Sequence, residues 1–369
     1  MRISRTVLRI LIGLVFVFSG FVKGIDPLGT VYRMNDYFQA FNIPWAMSFS
    51  LYLALFLCVL EFTIGVSLLL NILIRRIAWI LLPMMTFFTI LTFFDAVYNL
   101  VPDCGCFGDA LKLTNVQTFI KNLVLMIMVI PVFTWKNKYK SALPSFADFL
   151  ILFFTVISFS WLTVFSYNHL PLIDFMPWKA GNNVNQAHTL PVRFYVTYKN
   201  RHTGAEKEFI APDYPWNDSV WLSNWIFRSQ RVEDPNRNQA MALRVEDASG
   251  SIITPAIIQN PSFQFILVAY DLSSANTNGF TKILPFYKSA LSDGYSFVCL
   301  TSSLPDDVRK FRIDHGTAFD YYFADDVVLK TMVRANPGLI LLKNGRVIAK
   351  WHYHDFPSYQ EVRQKYLAK

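Results

Sequence analysis

Cys104 and Cys106 stand one residue apart in Cys104-Gly-Cys-Phe-Gly-Asp109, and they are two of only four cysteines in the chain. Two thiols at that spacing can exchange two electrons and two protons for a disulfide. The ring so closed is very small and its geometry strained, and strained disulfides are the readily reduced ones. Gly105 takes a side chain out of the bend, and Gly108 gives the same freedom after Phe107. A redox-active pair is one reading. A pair that only tightens its loop is a second, and thiols that catch a metal adventitiously are a third. No second Cys-x-Cys or nearby His completes a four-ligand zinc set, so no metal is expected.

Glu61 lies inside an apolar run, Leu60-Glu-Phe-Thr-Ile-Gly65, three residues past Cys58 and on the same helical face. A carboxyl inside a membrane span is costly and faces an interior site or a partner. It suits proton transfer beside a quinone; a structural pair with Lys23, or a helix-end hydrogen bond, is the alternative. Cys58 reaches the Cys-Gly-Cys loop if the bundle folds that way, and is otherwise a small buried hydrophobe. Lys23 and Asp26 flank Gly24 at the end of the first apolar run, where Pro27 stops the helix. They form a local ion pair, or they meet a lipid headgroup or the polar end of a quinone. Asp95 is expected at a helix end, where a carboxylate is cheap. Cys299 falls in a core strand. His352 and His354 share a strand face beside Asp355, a pattern that suits a metal but reads more simply as solvent-exposed surface. No phosphate loop, Rossmann glycines, Ser-His-Asp arrangement or haem-attachment motif is present.

The elements that must position these residues come from composition. Of 369 residues, 53% are hydrophobic and 16% charged, and there are 34 Phe, 17 Tyr and 9 Trp. Soluble domains carry about 25% charged residues. A disordered chain and a disulfide-stapled mini-domain are excluded. The average hides a break: residues 1–170 hold 12 Lys/Arg and 7 Asp/Glu, whereas residues 171–369 hold 22 and 19. Five apolar runs fill the first part, near Val7–Val22, Phe49–Leu73, Ile77–Phe94, Val116–Phe133 and Phe146–Tyr167. Each is roughly 16–25 residues, about what a helix needs to cross a hydrocarbon core of about 30 Å. The first follows Arg2, Arg5 and Arg9 without an Ala-x-Ala-like cleavage site, so it is expected to be retained.

The net charge of +8 has no dense basic tract. It reflects membrane topology, with no nucleic acid implied. Arg2, Arg5 and Arg9, then Arg75 and Arg76, then Lys136, Lys138 and Lys140 fall on alternate connections. That places them in the cytoplasm. Loops 23–48 and 95–115, and everything after about residue 170, then face one extracytoplasmic compartment, where disulfides persist.

Residues 171–189 read as a linker and 190–259 as a β-rich lead-in. Val192–Tyr198 and Lys207–Ala211 predict a hairpin around Asn200–Gly204. Ala240–Glu246 and Ser251–Ile258 predict another, and Pro215–Phe227 is Trp-rich and ambiguous. From Phe263 the pattern becomes β-α-β-α-β-α-β-β with a short C-terminal helix. Asn344-Gly345 between apolar runs marks the last hairpin.

That order, with Asn336-Pro337 before the final hairpin, resembles a thioredoxin-like domain over residues 260–369. The resemblance implies a cis-proline at Pro337 and a Cys-x-x-Cys after the first strand. Asp271-Leu-Ser-Ser-Ala-Asn-Thr277 carries no cysteine there, which rules out dithiol exchange at that place. Residues 1–135 resemble the DoxX/MauE-like family of four-helix membrane proteins. The matches are Ser19-Gly-Phe-Val-Lys-Gly-Ile-Asp-Pro27 with Asp36-Tyr37, Glu61 in its run, and the Cys-Gly-Cys-Phe-Gly loop. The family is linked to quinone-coupled or thiol redox chemistry and to maturation of periplasmic redox enzymes.

The expected architecture is a five-helix membrane bundle: a four-helix DoxX-like core in residues 1–135, and a cytoplasmic loop with a fifth helix in 136–170. An α/β thioredoxin-like domain lacking Cys-x-x-Cys follows the linker and lead-in. The expected protein sits in the bacterial inner membrane among lipid, with its N-terminus cytoplasmic and its Cys-Gly-Cys loop and C-terminal domain periplasmic. Cys104 and Cys106 would be its redox pair and Glu61 its proton acceptor. Lys23, Asp26 and, less directly, Cys58 would meet a quinone, and an envelope protein would be the client. The alternative is a non-enzymatic membrane scaffold with a structural Cys-Gly-Cys loop.

Overall fold

The computed structural model describes residues 2–101, 103–141, 143–185, 193–211, 213–215, 218–233 and 243–368. The chain divides into two units, Met1–Met176 and Pro177–Lys369, so the boundary falls inside the expected linker.

The first unit is helical. Among the described residues five helices are long and apolar enough to cross a membrane: Ile3–Ile25, Pro44–Leu70, Ile74–Tyr98, Asn115–Thr134 and Ser145–Asn168. These are the five expected runs. Large apolar side chains such as Trp79, Phe87, Phe154 and Trp161 stay exposed on them, the surface a bilayer covers. The helices are α1 (Arg2–Ile25), α2 (Pro27–Ala40), α3 (Ser50–Leu70), α4 (Ile74–Tyr98), α5 (Asn115–Thr134) and α6 (Ser145–Asn168).

Helix α2 is new relative to the expected loop. Pro27 ends α1 and opens α2 at its first turn, where a missing N–H costs nothing. Asp26 caps it by accepting from the Gly29 amide at 3.2 Å. Helices α1 and α3 approach at glycines: a Cβ on Gly20 would lie 2.5 Å from the Phe62 nitrogen, and one on Gly65 would lie 2.5 Å from the Val17 nitrogen. Small residues let backbones in lipid come this close. The core of this unit joins Ile12, Phe16, Ile64, Leu68, Leu81, Met85 and Val129.

Among its described residues the second unit holds two sheets. A three-stranded antiparallel sheet runs β2 (Glu206–Ile210), β1 (Arg193–Asn200), β3 (Trp225–Glu233). Its first hairpin is the expected one, and the ambiguous Trp-rich stretch becomes a short helix, α7 (Ser219–Asn224), leading into β3. Of the second expected hairpin, the described residues show the turn end alone, where Ile253 donates to the Val245 carbonyl at 2.9 Å and Asp247 to the Ser251 carbonyl at 3.0 Å. Residues 240–242 lie outside the described residues, Glu246 makes single bridges to Ile252 and Phe323, and Thr254–Ile258 is a helix, α8. Pro255 favours a helical first turn over a strand interior.

The larger sheet has the order β6-β5-β4-β7-β8. Its strands are β4 (Phe263–Val268), β5 (Ser296–Thr301), β6 (Asp320–Phe323), β7 (Gly338–Lys343) and β8 (Arg346–His352). Strands β4, β5 and β6 are parallel, β7 runs antiparallel to β4, and β8 turns back antiparallel to β7. Helices α9 (Thr277–Ser292), α10 (Pro305–His315) and α11 (Asp326–Met332) connect them, and α12 (Tyr359–Val362) closes the unit. The element order is the expected one, and the Asn336-Pro337 peptide is cis. Phe265, Phe280, Phe297 and Phe319 form the centre of the core. Cys299 is fully buried on β5, as expected.

Candidate functional site in the membrane unit

The Cys-Gly-Cys loop joins α4 to α5 and is held from three sides. Asn115, at the start of α5, donates through Nδ2 to the Val101 carbonyl at 2.9 Å. Arg33 of α2 reaches Asp103 at 2.7 Å and Asp36 at 3.0 Å. The Asp103 carboxylate accepts from the Gly105 amide at 3.1 Å. Gly105 has φ +65°, a left-handed turn that glycine takes without strain, and a Cβ there would stand 2.8 Å from Arg33 Cγ. The bend brings the two sulfurs to 3.2 Å, both as free thiols.

The hydrogen bond between them sets the sulfurs apart electrically. It pulls the Cys106 thiol below its ordinary range against burial, and the ammonium groups of Lys121 and Lys23 add to the pull. The same bond, with burial, pushes Cys104 up. Cys106 is thus the sulfur suited to carry the thiolate, the nucleophilic form.

Behind Cys106 lies a buried ion pair. Lys23 Nζ on α1 sits 2.7 Å and 2.9 Å from the two Glu61 carboxylate oxygens on α3. Ser19, one turn before Lys23, has its hydroxyl 2.8 Å from Glu61 Oε2 and 2.7 Å from the Cys106 carbonyl. It has one proton for two acceptors, so it couples the loop to the ion pair. Cys106, Ser19, Lys23, Glu61, Lys121 and Asn122 line one cavity, completed by Met84, Met85, Phe88 and other apolar side chains. Its volume of about 40 Å³ admits water and no ring the size of a quinone.

On the far side of the pair, Tyr37 of α2 faces Cys104 and donates its hydroxyl to Asp95 Oδ2 on α4. Burial and then Cys104 push the Tyr37 phenol well above its ordinary range, so it keeps its proton.

The structure therefore brings Cys104, Cys106, Glu61 and Lys23 together around one loop. Lys23 pairs with Glu61 and not locally with Asp26, because the α1–α3 glycine contact draws Glu61 onto its helix. Asp26 is at the cap of α2 and does not line the cavity. Cys58 is fully buried one turn before Glu61 and does not line it either. Asp95 departs from the expected cheap helix-end carboxylate: it is 0% exposed and bonded to Tyr37. Ser19, Tyr37, Arg33 and Lys121 were not singled out as site residues. Ser19 and Tyr37 lie in the stretches that carry the family resemblance, and spacing added a second signal, Ser19 with Lys23 and Arg33 with Tyr37, each four apart on one helix face.

In the second unit, the turn after β4 carries no thiol. The Asp271 carboxylate accepts from the hydroxyls of Ser273 and Ser274, each at 2.7 Å. Asn336 Nδ2 donates to the Asp271 carbonyl at 2.7 Å. His352 is buried, at 2% exposure, and not on the surface as expected; its Nδ1 accepts from the His354 amide because β8 packs inward there. Among the described residues no group of three or more His, Cys, Asp or Glu is arranged to hold a metal.

No curated protein and no solved structure matches the chain. Residues 1–135, which contain every member of the membrane site, match the family model described as methylamine utilisation protein MauE, in a chain whose five apolar helices make it a multi-pass membrane protein.

Proposed function

We propose that the chain is a thiol-redox protein of the bacterial cytoplasmic membrane, in which Cys104 and Cys106 cycle between dithiol and disulfide. The single observation that carries this is the paired sulfurs at 3.2 Å, one of which, Cys106, lines a cavity together with Ser19, Lys23 and Glu61. A structural loop needs neither the Lys23–Glu61 pair nor two cations beside one thiol. In the cycle a client dithiol gives two electrons and two protons to the Cys104–Cys106 disulfide, and the dithiol so formed gives them to a quinone, which leaves as quinol. The quinone is expected to meet Cys106 near Lys23 and Glu61 once the flexible Met84 and Met85 and the ring of Phe88 move aside. Glu61 holds or passes a proton through Ser19.

The Lys/Arg-rich connections favour a cytoplasmic N-terminus, with the Cys-Gly-Cys loop and the second unit on the periplasmic side. The second unit, read as a thioredoxin-like domain without its cysteines, would bind the client without exchanging thiols with it. One observation favours the scaffold reading instead: the Asp271, Ser273 and Ser274 turn is closed on itself by hydrogen bonds and offers no nucleophilic sulfur.

The test is thiol trapping with a mass tag in isolated membranes, before and after adding oxidised or reduced quinone. The pair is expected to follow the quinone pool. A pair that stays in one state under both treatments makes the loop structural and leaves the scaffold.

A further inference from the structure

The two sulfurs of the loop face different proton partners. Cys106 looks toward Ser19, Lys23, Glu61 and Lys121. Cys104 does not line that cavity, and besides Cys106 its hydrogen-bonding neighbour is Tyr37. Tyr37 and Arg33 stand four residues apart on α2, so the face that grips Asp103 also presents the phenol to the next residue, Cys104. The Tyr37 hydroxyl donates to Asp95 Oδ2, and Asp95 Oδ1 is buried with no hydrogen-bond partner among the described residues. A fully buried carboxyl with an empty oxygen is costly to keep for stability alone. The Lys23–Glu61 route does not use it.

We propose that Asp95, acting through the Tyr37 hydroxyl, takes the proton that Cys104 gives up when the Cys104–Cys106 disulfide closes. The inference rests on the redox reading above. The step balances as a paired hop. Cys104 S–H passes its proton to the Tyr37 oxygen while Tyr37 passes its own to Asp95 Oδ2. The freed electron pair on Cys104 attacks the Cys106 sulfur and forms the S–S bond. The bond that breaks is the one from Cys106 to the oxidant, which departs with two electrons. In the cell that oxidant is a quinone. The other proton of the dithiol has already left Cys106. Each loop sulfur thus has its own proton route, Ser19 and Glu61 on one side and Tyr37 and Asp95 on the other. The charged and titratable groups facing Cys104 are Cys106, Lys23 and Tyr37, with Asp95 behind the last.

The experiment uses the full chain in detergent micelles and an aromatic disulfide, dithionitrobenzoate, as probe. Cys106 displaces one thionitrobenzoate in a phase whose rate scales with reagent. Cys104 then expels the second in a phase independent of reagent, and this phase reads the proposed step. Tyr37→Phe and Asp95→Asn are each expected to slow the second phase about 100-fold near neutral pH. They should leave the first phase within about twofold, and Asp95→Glu should recover part of the loss.

In the unaltered chain the second phase should stay flat from about pH 6 to 9, because the proton goes to an internal acceptor. A second phase that rises about tenfold per pH unit over that range, or that is unchanged in both variants, overturns the proposal. So does equal slowing of both phases, which would make Tyr37 and Asp95 loop supports. If either variant fails to fold, the pH profile of the unaltered chain decides alone. A parallel arm with a soluble quinone separates the two claims. Failure of quinone to oxidise the pair, with the two-phase behaviour intact, removes the quinone and keeps the relay.

Discussion

Removing one partner of the Lys23–Glu61 pair tests whether the bundle is built around a buried charge. The two side chains are 7% and 5% exposed and meet at 2.7 Å. At an effective dielectric constant of about 20, opposite charges at that distance attract by roughly 6 kcal/mol. Desolvating both ions consumes much of that, so the pair itself contributes little net stability. The asymmetry is what shows. Lys23→Met leaves the Glu61 carboxylate with Ser19 as its remaining donor, and Glu61→Met leaves the ammonium without a counter-charge. Each single variant is expected to lose about 3–5 kcal/mol, while the double variant loses less than either. In the double variant the Ser19 hydroxyl still has the Cys106 carbonyl at 2.7 Å, so no new orphan is created. The assay is reversible unfolding in mixed micelles, followed by tryptophan fluorescence, for all four members of the cycle. Two single losses below about 1 kcal/mol that simply add would refute the reasoning, since they would mean the charges are neutralised or wet.

Three further outcomes follow from the same geometry. Gly105→Ala must accept φ +65° and push Arg33 Cγ from 2.8 Å, so it should cost about 1–2 kcal/mol and slow disulfide closure, read by thiol trapping. Gly65→Leu should separate α1 from α3, because even a Cβ would lie 2.5 Å from the Val17 nitrogen; loss of a Lys23–Glu61 coupling in the cycle above is the check. Iodoacetamide with peptide mass mapping should label Cys106 before Cys104 near neutral pH. The Cys106 thiol is lowered by Cys104 and the two lysines, so its stabilising effect is present above the unfolded thiol's value and lost as pH falls through the folded one. Cys104 is raised, so its effect is present below the unfolded value and lost as pH rises through its own. Labelling of Cys104 first at every pH contradicts this assignment.

The sequence by itself determined the five membrane helices, because about twenty apolar residues have no other way to satisfy their backbone in lipid. It also determined the Cys104–Cys106 pair, the first hairpin of the lead-in, and the strand and helix order after Phe263, where local periodicity and turn residues carry the information. Local pattern failed where the deciding contact was distant. Helix α2 was read as loop, because its weakly amphipathic residues become helical only under the Asp26 cap and the packing on α3. Ser251–Ile258 alternates like a strand, yet Pro255 and the core turn its second half into a helix. Only the tertiary structure decided that Lys23 meets Glu61 across 38 residues, that Tyr37 meets Asp95 across 58, and that Ser19 reaches the loop across 87. The physical reason is that a buried polar group takes its partner from whichever helix packs against it, and that choice is set by the glycine contacts between helices, which no periodicity along one segment encodes.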